Sequence, residues 1–285
     1  MIYSVIVLYN PESNNKANIE ALLLQSDKLV VIDNSTRKLP EEISDIINGN
    51  SKIVYLSNNG NIGLSLALNK GIKKALEYKD CDYIALFDQD SLIQKDFFLP
   101  MIEAVENRSG VIAASPEVVD MRTLEGNKDA DNTKVYEVPV IITSGSFYKR
   151  NAIEKIGLMD ETLFIDYIDY EWCFRARDKG YKLIRVPDSK LLHNMGEKVV
   201  KFLFIEKPYH TNGIRHFYIF RNQIYMFKRA YIPFGWKAVQ LFKCMYRIPS
   251  YILLSPQPLQ TAKHIIKGIK AGFSKEGRNY RYDKI

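Results

Sequence analysis

Tyr83-Ile84-Ala85-Leu86-Phe87-Asp88-Gln89-Asp90 is an apolar run that ends abruptly on two acids. Its apolar part reads as a strand buried on both faces. Side chains two apart on an extended chain share a side, so Asp88 and Asp90 converge at the strand's carboxyl end. Open α/β sheets place their ligands at that edge. Paired carboxylates there suit a hard divalent cation such as Mg²⁺ or Mn²⁺, which is commonly held by one or two carboxylates plus substrate phosphates. The competing reading makes Asp90-Ser91 the cap of a following helix and Asp88 a turn residue. An Asp-x-Asp triplet alone does not choose between them; the surrounding segments bear on the choice.

On either side, short apolar runs alternate with longer mixed segments. Residues 4–8, 29–32, 53–56, 83–87 and 111–114 read as buried strands, and 18–25, 40–47, 65–78 and 99–106 as the helices between them. This alternation predicts a parallel sheet with right-handed crossovers. Four segments then fall on one edge: Leu8-Tyr9-Asn10-Pro11, Ile32-Asp33-Asn34-Ser35, the loop Asn58-Asn59-Gly60-Asn61-Ile62-Gly63, and Asp88-Gln89-Asp90. Asp33 either accepts a hydrogen bond from a nucleobase N–H or serves a turn. Gly60 and Gly63 either let the backbone approach a phosphate at the next helix N-terminus or simply make the turn.

The 285 residues, 46% apolar and 26% charged, are ordinary for a globular enzyme-sized chain. Cys81, Cys173 and Cys244 are an odd, scattered set without metal spacing, which fits a reducing compartment. The N-terminus lacks a basic leader region, and no apolar run approaches the ~18 residues of a spanning helix, so a cytoplasmic, non-transmembrane protein is expected. The net charge of +7 is unevenly spread: residues 201–285 hold 16 Lys/Arg against three acids, and the first 200 hold 24 against 30. Residues 120–132 read as a surface loop. The compact part is expected to close at Pro187 and 193–197. Beyond 200 the sequence turns aromatic, basic and helical, with breaks at Pro233, Pro249, Pro256 and Pro258. A catalytic domain at 1–200 and a helical basic module at 201–285 are the expected divisions.

Phe164-Ile165-Asp166-Tyr167-Ile168-Asp169-Tyr170-Glu171-Trp172-Cys173-Phe174-Arg175 reads as a helix start with Asp166 and Asp169 on one face. Glu171 and Arg175 are spaced for a local ion pair. Asp169 either complements the helix dipole or acts as a general base toward a hydroxyl. His193 follows the strand expected at 183–186, as a structural residue or as a ligand.

Taken in order, Leu8-Tyr9-Asn10, Asp33, Asn61-x-Gly63 with Asn69-x-Gly71, Asp88-x-Asp90, Thr143-Ser144-Gly145-Ser146, 166–175 and His193 resemble glycosyltransferase family 2, inverting enzymes of the GT-A fold, over about residues 1–200. Within that family the chain most resembles bacterial rhamnosyltransferases of surface-polysaccharide pathways. Asn61 to Gly71, Asp88-Gln89-Asp90, 164–175, Arg215-His216-Phe217-Tyr218 and Arg221-Asn222 carry the narrower likeness. The resemblance implies an α/β GT-A fold with a mostly parallel sheet. It implies that Tyr9 and Asp33 hold the base of a nucleotide sugar, with Leu8, Asn61, Gly63, Gln89 and Arg221 also on the donor. Asp88, Asp90 and His193 would hold Mg²⁺ or Mn²⁺, Asp169 would be the base with Asp166 as helper, and Gly145, Ser146 and Trp172 would face the acceptor. Many members carry an acidic pair where this chain has Ile168-Asp169, which leaves Asp169 as the one acid of the pair.

The implied partners are a nucleotide-sugar donor, dTDP-L-rhamnose first, and a lipid-linked acceptor; a homo-oligomer is left open. At 262–273, Ala262, Ile265, Ile266, Ile269 and Phe273 form a helical stripe flanked by Lys263, Lys267 and Lys270, which suits an anionic membrane surface. Packing on the catalytic domain is the alternative. The expected location is therefore peripheral to the inner face of the cell membrane. No nucleic-acid motif accompanies the charge. Competing functions are transfer of another hexose or galactofuranose from a UDP-sugar, nucleotidyl transfer, and a non-catalytic membrane module. Nucleotidyl transfer would call for a glycine- and arginine-rich loop where Tyr9-Asn10-Pro11-Glu12 stands.

Overall fold

The computed structural model describes residues 1–120, 134–193, 199–202, 205–208 and 213–274. Apart from its first residue, the loop expected at 120–132 lies outside the described residues. Strand β1 (Ile2–Leu8) is apolar on both faces because it is covered on both. Val5 and Val7 join one apolar cluster, Ile6 and Leu8 the other, as the two-residue period requires. Helices α1 (Lys16–Gln25) and α2 (Glu41–Gly49) alternate with β2 (Lys28–Asp33) and β3 (Ile53–Ser57), and α3 (Leu64–Leu76) leads to β4 (Tyr83–Asp88). β1 pairs in parallel with β2 and β4, and β2 with β3. The four strand ends predicted to share an edge therefore do so.

After Asp90 the chain continues as a short strand, β5 (Ser91–Ile93), and not as the helix that Asp90-Ser91 would have capped. Helix α4 (Leu99–Glu106), β6 (Val111–Asp120), β7 (Tyr136–Glu137), β8 (Ser146–Lys149), α5 (Arg150–Ile156), α6 (Ile168–Asp178) and β9 (Lys182–His193) complete this half. The nine strands form one sheet in the order β3-β2-β1-β4-β8-β6-β9-β5, with β7 on β9. It is mixed, since β8 runs antiparallel to both β4 and β6. Strand β9 continues through Pro187, where closure of the compact part was expected.

Past 200 the chain first forms a hairpin, β10 (Val199–Phe202) with β11 (Ile205–Pro208). Helical structure starts at α7 (Gly213–Lys228), followed by α8 (Phe234–Leu253) and α9 (Pro258–Phe273). Pro249 does not break α8; it lies on that helix's exposed side, where water can satisfy the carbonyl that a proline leaves unbonded. Helix α7 carries Tyr225 into the main apolar cluster. The three cysteines are free thiols. Among the described residues, no helix is long and apolar enough to cross a membrane.

Candidate active site

Tyr9, at the end of β1, is 41% exposed and available to a flat ring. Its backbone is fixed at two points by Gln89, whose amide oxygen accepts from Tyr9 N (2.7 Å) and whose amide nitrogen donates to Tyr9 O (3.3 Å). The Gln89 side chain is thus a strut between β1 and the Asp88-Gln89-Asp90 turn. Asn15 and Asn18 donate to Gln89 O from below. Leu8 is fully buried, so only its backbone faces this edge. Asn10 accepts from the Thr36 and Arg37 amides and closes β1 onto the end of β2.

Asp33 is buried, with Oδ2 accepting from the Tyr55 hydroxyl (2.7 Å) and Oδ1 from Ser35 N. Burial and then Asp33 push the Tyr55 hydroxyl up to about 12, which keeps it a donor. Asn34 donates to Asn61 (3.1 Å) and accepts from Ile62 N, while Asn61 accepts from Gly63 N. Asn10 and Asn34 are the polar braces of this edge that sequence reasoning left out of the site; both stand beside residues it did name.

Asp88 is half-buried and Asp90 exposed at the end of β4. Asp88 N donates to Ser144 Oγ, which in turn donates to Ser91 Oγ, so the turn is anchored on buried hydroxyls. In the ladder, Ser91 stands opposite His193 of β9, which puts the His193 backbone one residue past Asp90. The His193 side chain lies outside the described residues. Among the described residues no group of three or more His, Cys, Asp or Glu can hold a metal ion alone. Two carboxylates on an open edge fit a cation whose remaining positions are filled by diphosphate oxygens.

Asp166 precedes α6 and is not on its face: Phe164, Asp166 and Tyr167 take left-handed backbone (φ 57°, 64° and 65°) before Ile168 starts the helix. Such conformations in non-glycine residues cost ~1–3 kcal/mol each and persist only where neighbours enforce them. The enforcement comes from α7. The Asn222 amide nitrogen faces the carbonyls of Leu163 (2.7 Å), Ile165 (2.6 Å) and Asp166 (3.1 Å). Arg221 donates to Thr162 O and to Asn222 Oδ1, and Tyr218 stacks on Phe164 at 4.6 Å. Arg215 pairs with Asp166 (3.0 Å). Arg221 is wholly buried among Tyr218, Phe217 and Tyr225, so it holds the loop and has no surface for the donor. Asn222→Ala should remove the amide donor and take from Arg221 the Oδ1 that accepts from it. A loss of about 3 kcal/mol in denaturant unfolding and lower turnover are expected; an unchanged midpoint and rate would contradict the clamp.

Gly63 lies under this loop. Its φ is +93°, and an added Cβ would meet the Phe164 ring at 2.5 Å. Leu64 N and Ser65 N, at the start of α3, donate to Phe164 O. Gly63 thus lets the 164–167 loop rest on the 58–63 loop.

Asp169, in the first turn of α6, is half-buried. Burial first, with the charges of Asp166 and Asp88 and against the Tyr170 amide hydrogen bond, raises its carboxyl to about 6. Charges from β4 and from the 164–167 loop therefore both reach the carboxyl at the start of α6. A base poised near 6 is suited to take a proton from an acceptor hydroxyl at neutral pH.

Three residues expected on the acceptor side are buried in the fold. Trp172 is wholly buried, donating to Gly157 O and packing edge-on against Tyr148. Ser146 is buried with its hydroxyl on Thr143 O, and Gly145 N donates to Leu86 O across the sheet. Trp172, one turn beyond Asp169, buries the inner face of α6. Tyr170, 37% exposed beside Asp169 and packed on Trp236 at 5.8 Å, presents the aromatic surface there.

A mixed α/β sheet with Asp88 and Asp90 at the carboxyl end of its fourth strand is the arrangement that the resemblance to sugar-nucleotide transferases of the GT-A type implies. The sequence signature of Glycosyl transferase family 2 matches residues 4–157, and the chain belongs to that family. It is 34% identical over 248 residues to the dTDP-rhamnosyl transferase RfbF of Shigella flexneri, covering 81% of each chain. It is 22% identical over 185 residues to the poly-beta-1,6-N-acetyl-D-glucosamine synthase of Staphylococcus aureus, 60% of this chain and 43% of that one. Among solved structures it is similar to the mannosyltransferase PcManGT from Pyrobaculum calidifontis in complex with GDP-Man and Mn²⁺ (TM-score 0.58, 17% identity, 97% of this chain and 76% of that one). GalNAc-T7 with UDP, GalNAc and Mn²⁺ gives a TM-score of 0.58 at 16% identity, over 90% of this chain and 58% of that one. The protein is a nucleotide-sugar glycosyltransferase.

Proposed function

We propose that the chain transfers an L-rhamnosyl group from dTDP-L-rhamnose, with inversion, to a hydroxyl of a lipid-linked surface-polysaccharide acceptor. The observation that carries the chemistry is the Asp169 carboxyl at the start of α6, raised by burial and by the charges of Asp166 and Asp88; the choice of sugar leans on the relationship to RfbF. Tyr9 and Asp33 receive the base, with Asn61 and Gly63 shaping the loop beneath it. Asp169 accepts the proton as the hydroxyl attacks the anomeric carbon, and the nucleoside diphosphate leaves in the same displacement. Tyr170 offers the acceptor an aromatic face. Asp88 and Asp90, with His193, would hold Mg²⁺ or Mn²⁺, which when bound neutralises charge gathering on the departing phosphates. Asp166, tied to Arg215, helps by its charge and not by moving a proton. Residues 1–200 would make up the catalytic domain and the chain beyond them a basic module, helical from α7 onward, and the enzyme works at the cytoplasmic face of the membrane.

Thermal stabilisation by candidate donors tests this reading, since a ligand at 100 times its Kd adds about 2.7 kcal/mol. With Mn²⁺ present, dTDP-L-rhamnose should raise the melting temperature and release dTDP in the presence of acceptor. UDP-glucose, UDP-galactose, UDP-N-acetylglucosamine and UDP-galactofuranose should do little. Turnover of a UDP-sugar with none of the rhamnose donor would replace the sugar named here.

A further inference from the structure

Helix α8 turns a broad apolar ridge away from the protein. Phe234, Leu241, Phe242, Met245 and Leu253 are 83%, 64%, 69%, 73% and 68% exposed. At ~100° per residue they fall within about 120° of arc, opposite the buried Gln240 and Ser250. Helix α9 repeats the arrangement with Leu259, Ile266 and Phe273, seven residues apart and more than half exposed. Of the stripe that the sequence suggested for a membrane, Ile266 and Phe273 are exposed and Ile265 is not. Ile265 is buried against Ile219 and Phe220 of α7, and Gly268 lies so close to α7 that a Cβ would meet the Phe217 carbonyl at 2.4 Å. Ile265, Gly268 and Ala271 belong to the packing face of α9, and Leu259, Ile266 and Phe273 lie on the opposite side.

The charge around the ridge is of one sign. Between Glu206 and Glu276 the sequence has no acid and 12 Lys/Arg. Lys263, Lys267 and Lys270 are exposed and stand within four residues of Ile266 on α9. A second copy of this chain would bring an equally cationic face against the first, which is unfavourable. An anionic bilayer complements both features, taking apolar side chains at the headgroup boundary and cations at lipid phosphates.

We propose that the exposed ridge of α8, extended by Leu259, Ile266 and Phe273 of α9, is the surface on which the enzyme lies against an anionic membrane. The purpose of the contact rests on the lipid-linked acceptor proposed above, but its test does not, because vesicle binding is measured without donor. Full-length protein should sediment with phosphatidylglycerol-containing vesicles and be released by high salt, and phosphatidylcholine vesicles should hold it poorly. The triple variant Leu241→Gln, Phe242→Gln, Met245→Gln should bind the anionic vesicles roughly tenfold or more weakly, with an unchanged melting curve and unchanged hydrolysis of soluble donor. Replacing Lys263, Lys267 and Lys270 by Gln should remove much of the salt-sensitive part. Wild-type protein that ignores anionic vesicles, or a ridge variant that binds them equally well, would overturn the proposal. So would sedimentation as a dimer that the ridge variant splits, because the ridge would then be a contact between copies.

Discussion

Asp169→Asn is expected to lower turnover by ~10²–10⁴-fold while leaving donor affinity nearly unchanged. The change keeps the size of the side chain and its contact with the Tyr170 amide but removes the group that takes the acceptor's proton. The loss should appear in kcat and in kcat/KM together, the sign of an interaction made only in the transition state. Wild-type kcat/KM should fall as pH drops through about 6, because the base is then protonated. The slope should approach about tenfold per pH unit. Asp166→Asn removes one of the charges that raise Asp169 and leaves the Arg215 cation nearby, so the acid limb should move to lower pH. An asparagine tolerates the left-handed backbone at 166, and the variant should fold. If Asp166→Asn were the more damaging change, the proton acceptor would be Asp166.

Asp90→Asn should abolish most of the activity that depends on added Mg²⁺ or Mn²⁺, and a chelator should do the same to wild-type protein. The substitution is nearly isosteric at an exposed position, so the melting curve without ligand should stay where it is. A second readout separates the metal from the chemistry: Mn²⁺ should increase the stabilisation given by donor in the wild type, and much less in Asp90→Asn. Asp88→Asn should show the same pattern with a larger structural cost, since Asp88 is half-buried at the end of β4 beside the Ser144 and Ser91 hydroxyls. Full activity of either variant in chelator would remove Asp88 and Asp90 from the metal assignment.

Strands β1 to β4 and β6 and helices α1 to α4 were legible because each strand is a short, largely apolar run and each helix a longer mixed segment beside it. Sequence placed Asp33, Asp88 and Asp90 at one sheet edge for the same reason. The failures share a different cause. Ser91 enters a strand because β9 is there to pair with it, and β8 turns the sheet antiparallel by pairing across more than fifty residues. Neither partner is visible locally. Asp166 and Tyr167 adopt left-handed backbone that nothing in 164–170 favours; Asn222 and Arg221, more than fifty residues away, supply the reason. Arg221 and Trp172 drew attention as large functional side chains, and both proved to be buried in service of the loop and helix that carry the acids. Tyr170 was passed over because its exposure depends on where α6 begins.

The anomeric configuration of the transferred sugar, read by nuclear magnetic resonance during the first turnovers, tests the central claim most directly. A single displacement with Asp169 as base gives a product whose configuration is opposite to that of the donor. Retention of the donor's configuration would require a second displacement or an internal return, and would contradict the role assigned to Asp169.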